Sequence, residues 1–217
     1  MKVGTDGVLL GAWVRTGKVK RILDIGTGTG LIALMLAQRS EAEIDAIEIE
    51  KRAAEQARDN INICPWANRI TIHPISLQDY FPDVKYDLIV SNPPYFTNSQ
   101  AYSGNTRALA RHNLSLSMNE LLLGITRLIN KNGRFALIYP AESFDLLIEN
   151  ASATGFFACR ITHVLPNPQS KIKRILAEFS RERSTAEYDK IIIEEGRRHQ
   201  YSQKYKELTK GFYLEKC

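Results

Sequence analysis

Asn92-Pro93-Pro94-Tyr95 closes the apolar run Asp87-Leu-Ile-Val-Ser91, and this order of residue types answers one problem in nitrogen chemistry. An exocyclic amine on a purine, or an amide nitrogen, is planar and a poor nucleophile because its lone pair is delocalised. The side-chain oxygen of Asn92 and the backbone carbonyl of Pro93 can each accept a hydrogen bond from such an N–H2 group. Two fixed acceptors turn the lone pair toward an electrophile and stabilise the positive charge that grows on the nitrogen. Pro93 and Pro94 lack N–H donors and fix φ, so they hold the acceptors rigidly. Tyr95 offers a flat face on which a base can stack, worth roughly 1–3 kcal/mol. No general base accompanies the four, and alignment of two reactants can supply ~7–11 kcal/mol by itself. The tetrapeptide therefore reads as the catalytic element of a methyl transfer to nitrogen. Alone, it leaves adenine, guanine and glutamine open as substrates.

A second constellation supplies the methyl donor's seat. Asp24-Ile-Gly-Thr-Gly-Thr-Gly30 stands between a strand-like run and a helix-like one. Gly26, Gly28 and Gly30 permit a tight turn and close approach of backbone to a ligand. Dinucleotide-binding enzymes use the same device, but with G-x-G-x-x-G spacing rather than D-x-G-x-G-x-G. A carboxylate at Asp24 suits the cationic methionine end of S-adenosylmethionine better than a pyrophosphate. Glu48 follows 18 residues after Gly30, where an acid can accept both ribose hydroxyls. In related enzymes an Asp after the third strand meets the adenine amine. Ser76 falls there in this chain, with the Leu77 backbone or Asp79 as substitutes. Thr5 and Asp6, between Gly4 and Gly7, are predicted to cap a helix over Val8–Val14 and to face the cofactor with the same turn. Asn92 borders both the donor and the acceptor.

The elements that must position these groups alternate between period-2 apolar runs and helical patterns. Strands are predicted over Lys20–Ile25, Ile44–Ile49, Ile70–Pro74, Tyr86–Val90 and Gly133–Tyr139. Helices are predicted from the glycine turn to Arg39, over Ala53–Ile63 and Leu121–Ile129, and near Ser143–Ala151. Phe156–Leu165 and Ile172–Ser180 read as two long strands joined by Pro166-Asn167-Pro168. Ile191–Glu194 and Tyr201–Leu208 add a short strand and a basic helix. This is an α/β, Rossmann-like fold resembling the class I methyltransferases: a seven-stranded, mostly parallel sheet with helices on both faces.

Bulk properties set the outer bounds. At 217 residues, 44% hydrophobic and 24% charged, the chain reads as one domain over 1–217 with a core-sized sheet. A basic strand-helix extension occupies about 187–217. No apolar run reaches the roughly 18 residues of a membrane span, and no signal peptide is visible. Cys64, Cys159 and Cys217 lack metal-ligand spacing. The expectation is a cytoplasmic monomer without metal. Residues 1–170 hold 17 Lys and Arg against 16 Asp and Glu; residues 171–217 hold 12 against 8, so most of the +5 net charge lies in the last fifth. A basic surface raises the local concentration of polyanions. His73, His163 and His199 form no constellation in the sequence.

Several blocks resemble a known family. Lys2-Val-Gly-Thr-Asp-Gly-Val-Leu-Leu-Gly-Ala-Trp13, the Asp24–Gly30 loop, Ser91-Asn-Pro-Pro-Tyr-Phe96, Ala110-Arg111-His112 followed by Ser115-Leu116-Ser117, and Phe212-Tyr213-Leu214 are similar to the tRNA1(Val) adenine-37 N6-methyltransferases. The resemblance implies methyl transfer from S-adenosylmethionine to N6 of the adenosine beside the anticodon of a valine tRNA. Asn92, Pro93 and Tyr95 would hold the base. Gly26, Gly28, Glu48, Thr5 and Asp6 would hold the cofactor. That family carries a short basic-aromatic segment before the Lys2 block, so this sequence is expected to start within the family's length. The stretch from Phe96 to Ser115 is long for a loop, which points to function; Phe96, Tyr102, Arg107, Arg111 and His112 suit base and phosphate contacts. Lys171, Lys173 and Arg174 are the remaining candidates for RNA phosphates, or else charges that guard a strand edge. Rival readings are a release-factor glutamine N5-methyltransferase and an rRNA or DNA amino-methyltransferase.

Overall fold

A computed structural model of the chain describes residues 4–93 and 116–213. The elements follow the expected alternation. Helix α1 (Thr5–Trp13) precedes β1 (Arg21–Ile25), α2 (Leu31–Arg39), β2 (Glu43–Ile47), α3 (Lys51–Asn62) and β3 (Ile70–His73). Then come β4 (Tyr86–Ser91), α4 (Met118–Leu128), β5 (Ile129–Pro140), α5 (Phe144–Ala153), β6 (Phe157–Leu165), β7 (Arg174–Ser180), β8 (Glu187–Ile192) and α6 (Gln203–Thr209). Strands β1 and β4 are buried along almost their whole length, as parallel strands covered on both faces must be.

Alternate residues of those strands face two separate helical layers. Ile22, Ile44, Leu88 and Ala136 pack with Leu9, Trp13, Leu36 and Ala57 of α1, α2 and α3. Leu23, Ile47, Ile89 and Leu137 pack with Leu121, Ile125, Phe144 and Leu147 of α4 and α5. Helix α4 starts three residues before its predicted first residue because Ser117 and Glu120 form a reciprocal capping box, satisfying two orphan backbone donors. Helix α1 is pinned to the far strands. The buried Trp13 indole donates to Thr162 Oγ1 at 2.9 Å, and the Arg160 guanidinium lies 4.0 Å over the same ring.

Among the described residues the sheet has eight strands, not seven, in the order β3-β2-β1-β4-β5-β7-β6-β8. The additional strand is β8, which runs parallel to β6 at the open edge. Its first four residues, Glu187-Tyr-Asp-Lys, are all exposed. An edge strand needs polar residues to resist pairing with other chains, so its apolar pattern is confined to its end, where the sequence shows only Ile191–Glu194. Strand β5 also begins earlier than Gly133: residues from Ile129 join the sheet, with a register shift against β4 between Tyr86 and Leu88. Strand β7 is antiparallel to both β5 and β6, as the Pro-Asn-Pro hairpin requires. Among the described residues, no helix is long and apolar enough to cross a membrane.

Candidate active site

Register places the chemistry. His73, Ile47, Ile25, Ser91 and Leu137 lie in one row across β3, β2, β1, β4 and β5. Gly26, Glu48 and Asn92 are each the first residue beyond this row. They emerge on neighbouring strand ends, with Glu48 and Asn92 two strand spacings apart, about 9–10 Å along the sheet edge. The strand order reverses between β1 and β4, which is the switch point where open α/β sheets bind ligands. Ser91 fixes the site's floor by donating from Oγ to Ile25 O at 2.9 Å. Beyond it Asn92 is half-buried and Pro93 buried. Pro94, Tyr95, Phe96, Tyr102, Arg107, Arg111 and His112 lie outside the described residues.

The glycine turn is held by its own strand neighbours. Gly26 N and Thr27 N both donate to Ile47 O, at 3.0 and 3.1 Å. Gly26 has φ +71°, and a Cβ built there would meet nothing within 4 Å; the backbone faces open space that a ligand can fill. Gly30 has φ +85°, with Ala57 and Ile61 of α3 at 3.4 Å from where its Cβ would be. One glycine therefore leaves room for a ligand and the other lets a helix close in.

Asp24 sits beneath this turn with no exposed surface. Its Oδ2 accepts from Thr27 Oγ1 at 2.6 Å and from Ala33 N at 3.2 Å, while Oδ1 is buried without a partner among the described residues. Burial pushes its pKa up to about 7; the bonds from Thr27 and Ala33 oppose that rise, and the Glu48 charge adds to it. A fully buried carboxylate with a spare oxygen suits a cationic ligand above it, so the residues fit the expected cofactor. Glu48 accepts from Gly28 N at Oε2 and from Glu50 N at Oε1, both at 2.9 Å. Its own N–H donates to His73 O at 3.1 Å. Those contacts hold the carboxylate at the strand end, and each oxygen keeps a further lone pair for a ribose hydroxyl.

Other expectations are relocated. The N-cap of α1 is Gly4 with no side-chain cap bond, in place of Thr5 or Asp6, which lie in the first turn. Asp6 Oδ2 instead accepts from Arg174 Nε at 2.8 Å. That pair draws the amino-terminal turn to β7, and an acid at α1's first turn also complements the helix dipole. Ser76 donates to Asp79 Oδ2 at 2.6 Å and accepts Asp79 N at 3.1 Å, a local turn. The Leu77 side chain is buried and its carbonyl accepts from Arg127 at 2.7 Å. Lys171 and Lys173 are exposed just before β7.

Sequence reading missed a polar chain below the site. Asp45 accepts from Tyr86 OH at 2.8 Å and meets His73 Nε2 at 2.7 Å, and Tyr86 OH meets Tyr80 OH at 2.7 Å. These bonds hold Asp45 below its ordinary pKa against the opposing effect of burial. The signal was an acid in the middle of an apolar strand, two positions before Ile47.

A doubly wound sheet with a glycine turn and an acid-bearing neighbour at its switch point defines a nucleotide-cofactor fold, and the D-x-G-x-G-x-G spacing fits the methyltransferase class. A family model described as the methyltransferase small domain matches residues 4–139. A tRNA1(Val) (adenine(37)-N6)-methyltransferase of Parabacteroides distasonis is 48% identical over 99% of this chain and 91% of its own length. One from Trichodesmium erythraeum is 43% identical over the same shares. The chain belongs to the methyltransferase small domain family and, within it, to the tRNA1(Val) (adenine(37)-N6)-methyltransferases. Among solved structures, a predicted O-methyltransferase of Agrobacterium tumefaciens superposes with a TM-score of 0.73 over 95% of this chain and 96% of that one, at 22% identity. The glycopeptide N-methyltransferase MtfA in complex with S-adenosyl-L-methionine does so with a TM-score of 0.59 over 84% and 90%, at 12% identity. Both likenesses concern the fold.

Proposed function

We propose that this chain transfers the methyl group of S-adenosylmethionine to N6 of adenosine 37 in a tRNA1(Val), acting as one domain and a monomer. The observation that carries the reading is the single row of strand ends that sets Gly26, Glu48 and Asn92 side by side, in a chain nearly half identical to enzymes of that name.

The cofactor, when bound, supplies an electrophilic methyl on a sulfonium. Gly26 and Gly28 would let backbone approach it, Glu48 would accept from its ribose hydroxyls, and Asp24 would favour its cationic end. Asn92 and the Pro93 carbonyl accept the two N6 hydrogens, turning the nitrogen lone pair toward the donor. Because Asn92 emerges beside Gly26, donor and acceptor meet without a long reach. Their alignment stands in for a general base. After transfer the nitrogen carries the positive charge, and its excess proton leaves to water, since neither Asn92 nor the proline carbonyl can take it.

Incubation with labelled cofactor against tRNA, rRNA, DNA and a release factor tests the reading. Label is expected in tRNA. Label confined to release-factor glutamine or to DNA would overturn it.

A further inference from the structure

A second concavity, of about 520 Å3, opens on the same sheet edge and is lined by Lys173, Arg174, Arg198, Tyr201, Tyr205 and Tyr213 among others. Its walls come from chain segments far apart in sequence. Val164 and Pro166 flank the end of β6, Lys173 precedes Arg174 at the start of β7, and Ile193 and Glu194 follow β8. Glu194 and Tyr201 form an antiparallel bridge, and Glu195 N donates to Gln200 O at 2.7 Å. Residues 195–200 are thus a tight loop carrying Arg197, Arg198 and His199. His199 has φ +68°, a conformation costly for a residue with a Cβ. It is held there by its N–H, which donates to Glu194 Oε1 at 2.8 Å.

The aromatic groups are layered. Tyr201 stacks on Tyr205 with centroids 5.0 Å apart and planes at 27°, and Tyr205 OH meets Tyr213 OH at 3.2 Å. Tyr205 is 2% exposed and fixes the stack, while Tyr201 and Tyr213 keep 37% and 51% of their surface open. Two acids also face the cavity. Asp6 is engaged by Arg174 and Glu194 by the His199 backbone. Lys173 and Arg198 remain as cations not matched to either acid in those contacts.

A flat ring beside such cations suits an unpaired nucleotide, whose base stacks while its phosphate is neutralised. We propose that the cavity seats a nucleotide of the same RNA that presents the methylated adenosine, with its base on Tyr201 and Tyr213 and its phosphate against Lys173 and Arg198. The cavity lies about three strand spacings from β4, roughly 14–15 Å. At a stacked rise of about 3.4 Å per nucleotide, that is a separation of about four nucleotides, within one single-stranded loop. The proposal rests on the tRNA reading and adds to it a second point of contact.

The test measures binding of unmodified tRNA1(Val) transcript and methylation of it by the wild type, Tyr201→Ala, Tyr201→Phe and Arg198→Ala, with S-adenosylmethionine affinity measured alongside. Tyr201→Ala is expected to weaken RNA binding about five- to hundredfold, with the loss falling on KM for RNA and the cofactor affinity retained. Tyr201→Phe, which keeps the ring, should restore binding. Arg198→Ala should lower the slope of log K against log salt by about 0.7. A wild type that methylates the transcript beside a Tyr201→Ala variant that binds it equally well overturns the subsite alone. A wild type that leaves tRNA unmethylated overturns the substrate reading and the subsite with it. If Tyr201→Ala does not fold, Arg198→Ala decides, and an unchanged salt slope overturns the proposal.

Discussion

The two ends of this sheet edge are built in different ways. At the proposed cofactor end, every group named stands on β1, β2 or the turns directly after them, so that Asp24, Gly26, Gly28 and Glu48 fall within 25 consecutive residues. At the far end, the cavity draws on positions 5–6, 164–174 and 193–213. The first is local and closed by short backbone bonds; the second is assembled by topology from side chains far apart in sequence. A reaction centre needs fixed geometry, whereas a surface that reads RNA needs reach and charge. The two ends should therefore fail independently when altered.

The largest expected effect concerns Asp24. Its folded pKa of about 7 lies above the ordinary carboxylate value, so between about pH 4 and 7 the native state binds more protons than the unfolded chain. The stability associated with its protonated form is complete at low pH and is lost as pH rises through about 7. A shift of this size corresponds to roughly 4 kcal/mol between the two limits. Asp24→Asn should remove that part of the pH dependence, read from denaturant midpoints at pH 5 and pH 8. A wild type and variant with the same pH dependence would refute the account of this carboxyl.

Next in size, Asn92→Ala should lower turnover by about 10²–10³ while leaving cofactor affinity in place. Turnover near the wild-type value would remove Asn92 from the chemistry. Glu48→Ala should weaken S-adenosylmethionine by about tenfold or more, since it deletes charged hydrogen-bond acceptors. It should leave tRNA affinity within about twofold, as measured by calorimetry and filter binding; matching losses in both would show that the two ends are one unit. The smallest effect is at Lys171. Its removal should reduce the salt slope of RNA binding by about 0.7. An unchanged slope would assign this lysine to edge protection instead.

The same contrast explains what the sequence disclosed. The glycine turn, Glu48 and Asn92 stand out in the sequence as distinctive residue types at predicted strand ends, and the structure brings them to neighbouring strand ends. Strand β8 was readable only at its apolar end, since an edge strand hides its pattern under Glu187 to Lys190. The Asp6–Arg174 pair spans 168 positions, and no local spacing announces it. Gly4 displaced Thr5 and Asp6 as the helix cap because the chain turns one residue earlier and Asp6 is drawn to β7. Tyr201 and Arg198 looked like part of a basic tail; only the bridge between Glu194 and Tyr201 makes them a cavity wall.

The central claim is most directly tested by nucleoside mass spectrometry on tRNA1(Val) transcripts after incubation with the protein and S-adenosylmethionine, comparing the native transcript with one bearing guanosine at position 37. The account predicts one N6-methyladenosine in the native transcript, mapped to position 37, and none in the altered one. Methylation that persists in the altered transcript, or a methyl group found on guanine N2, would contradict it.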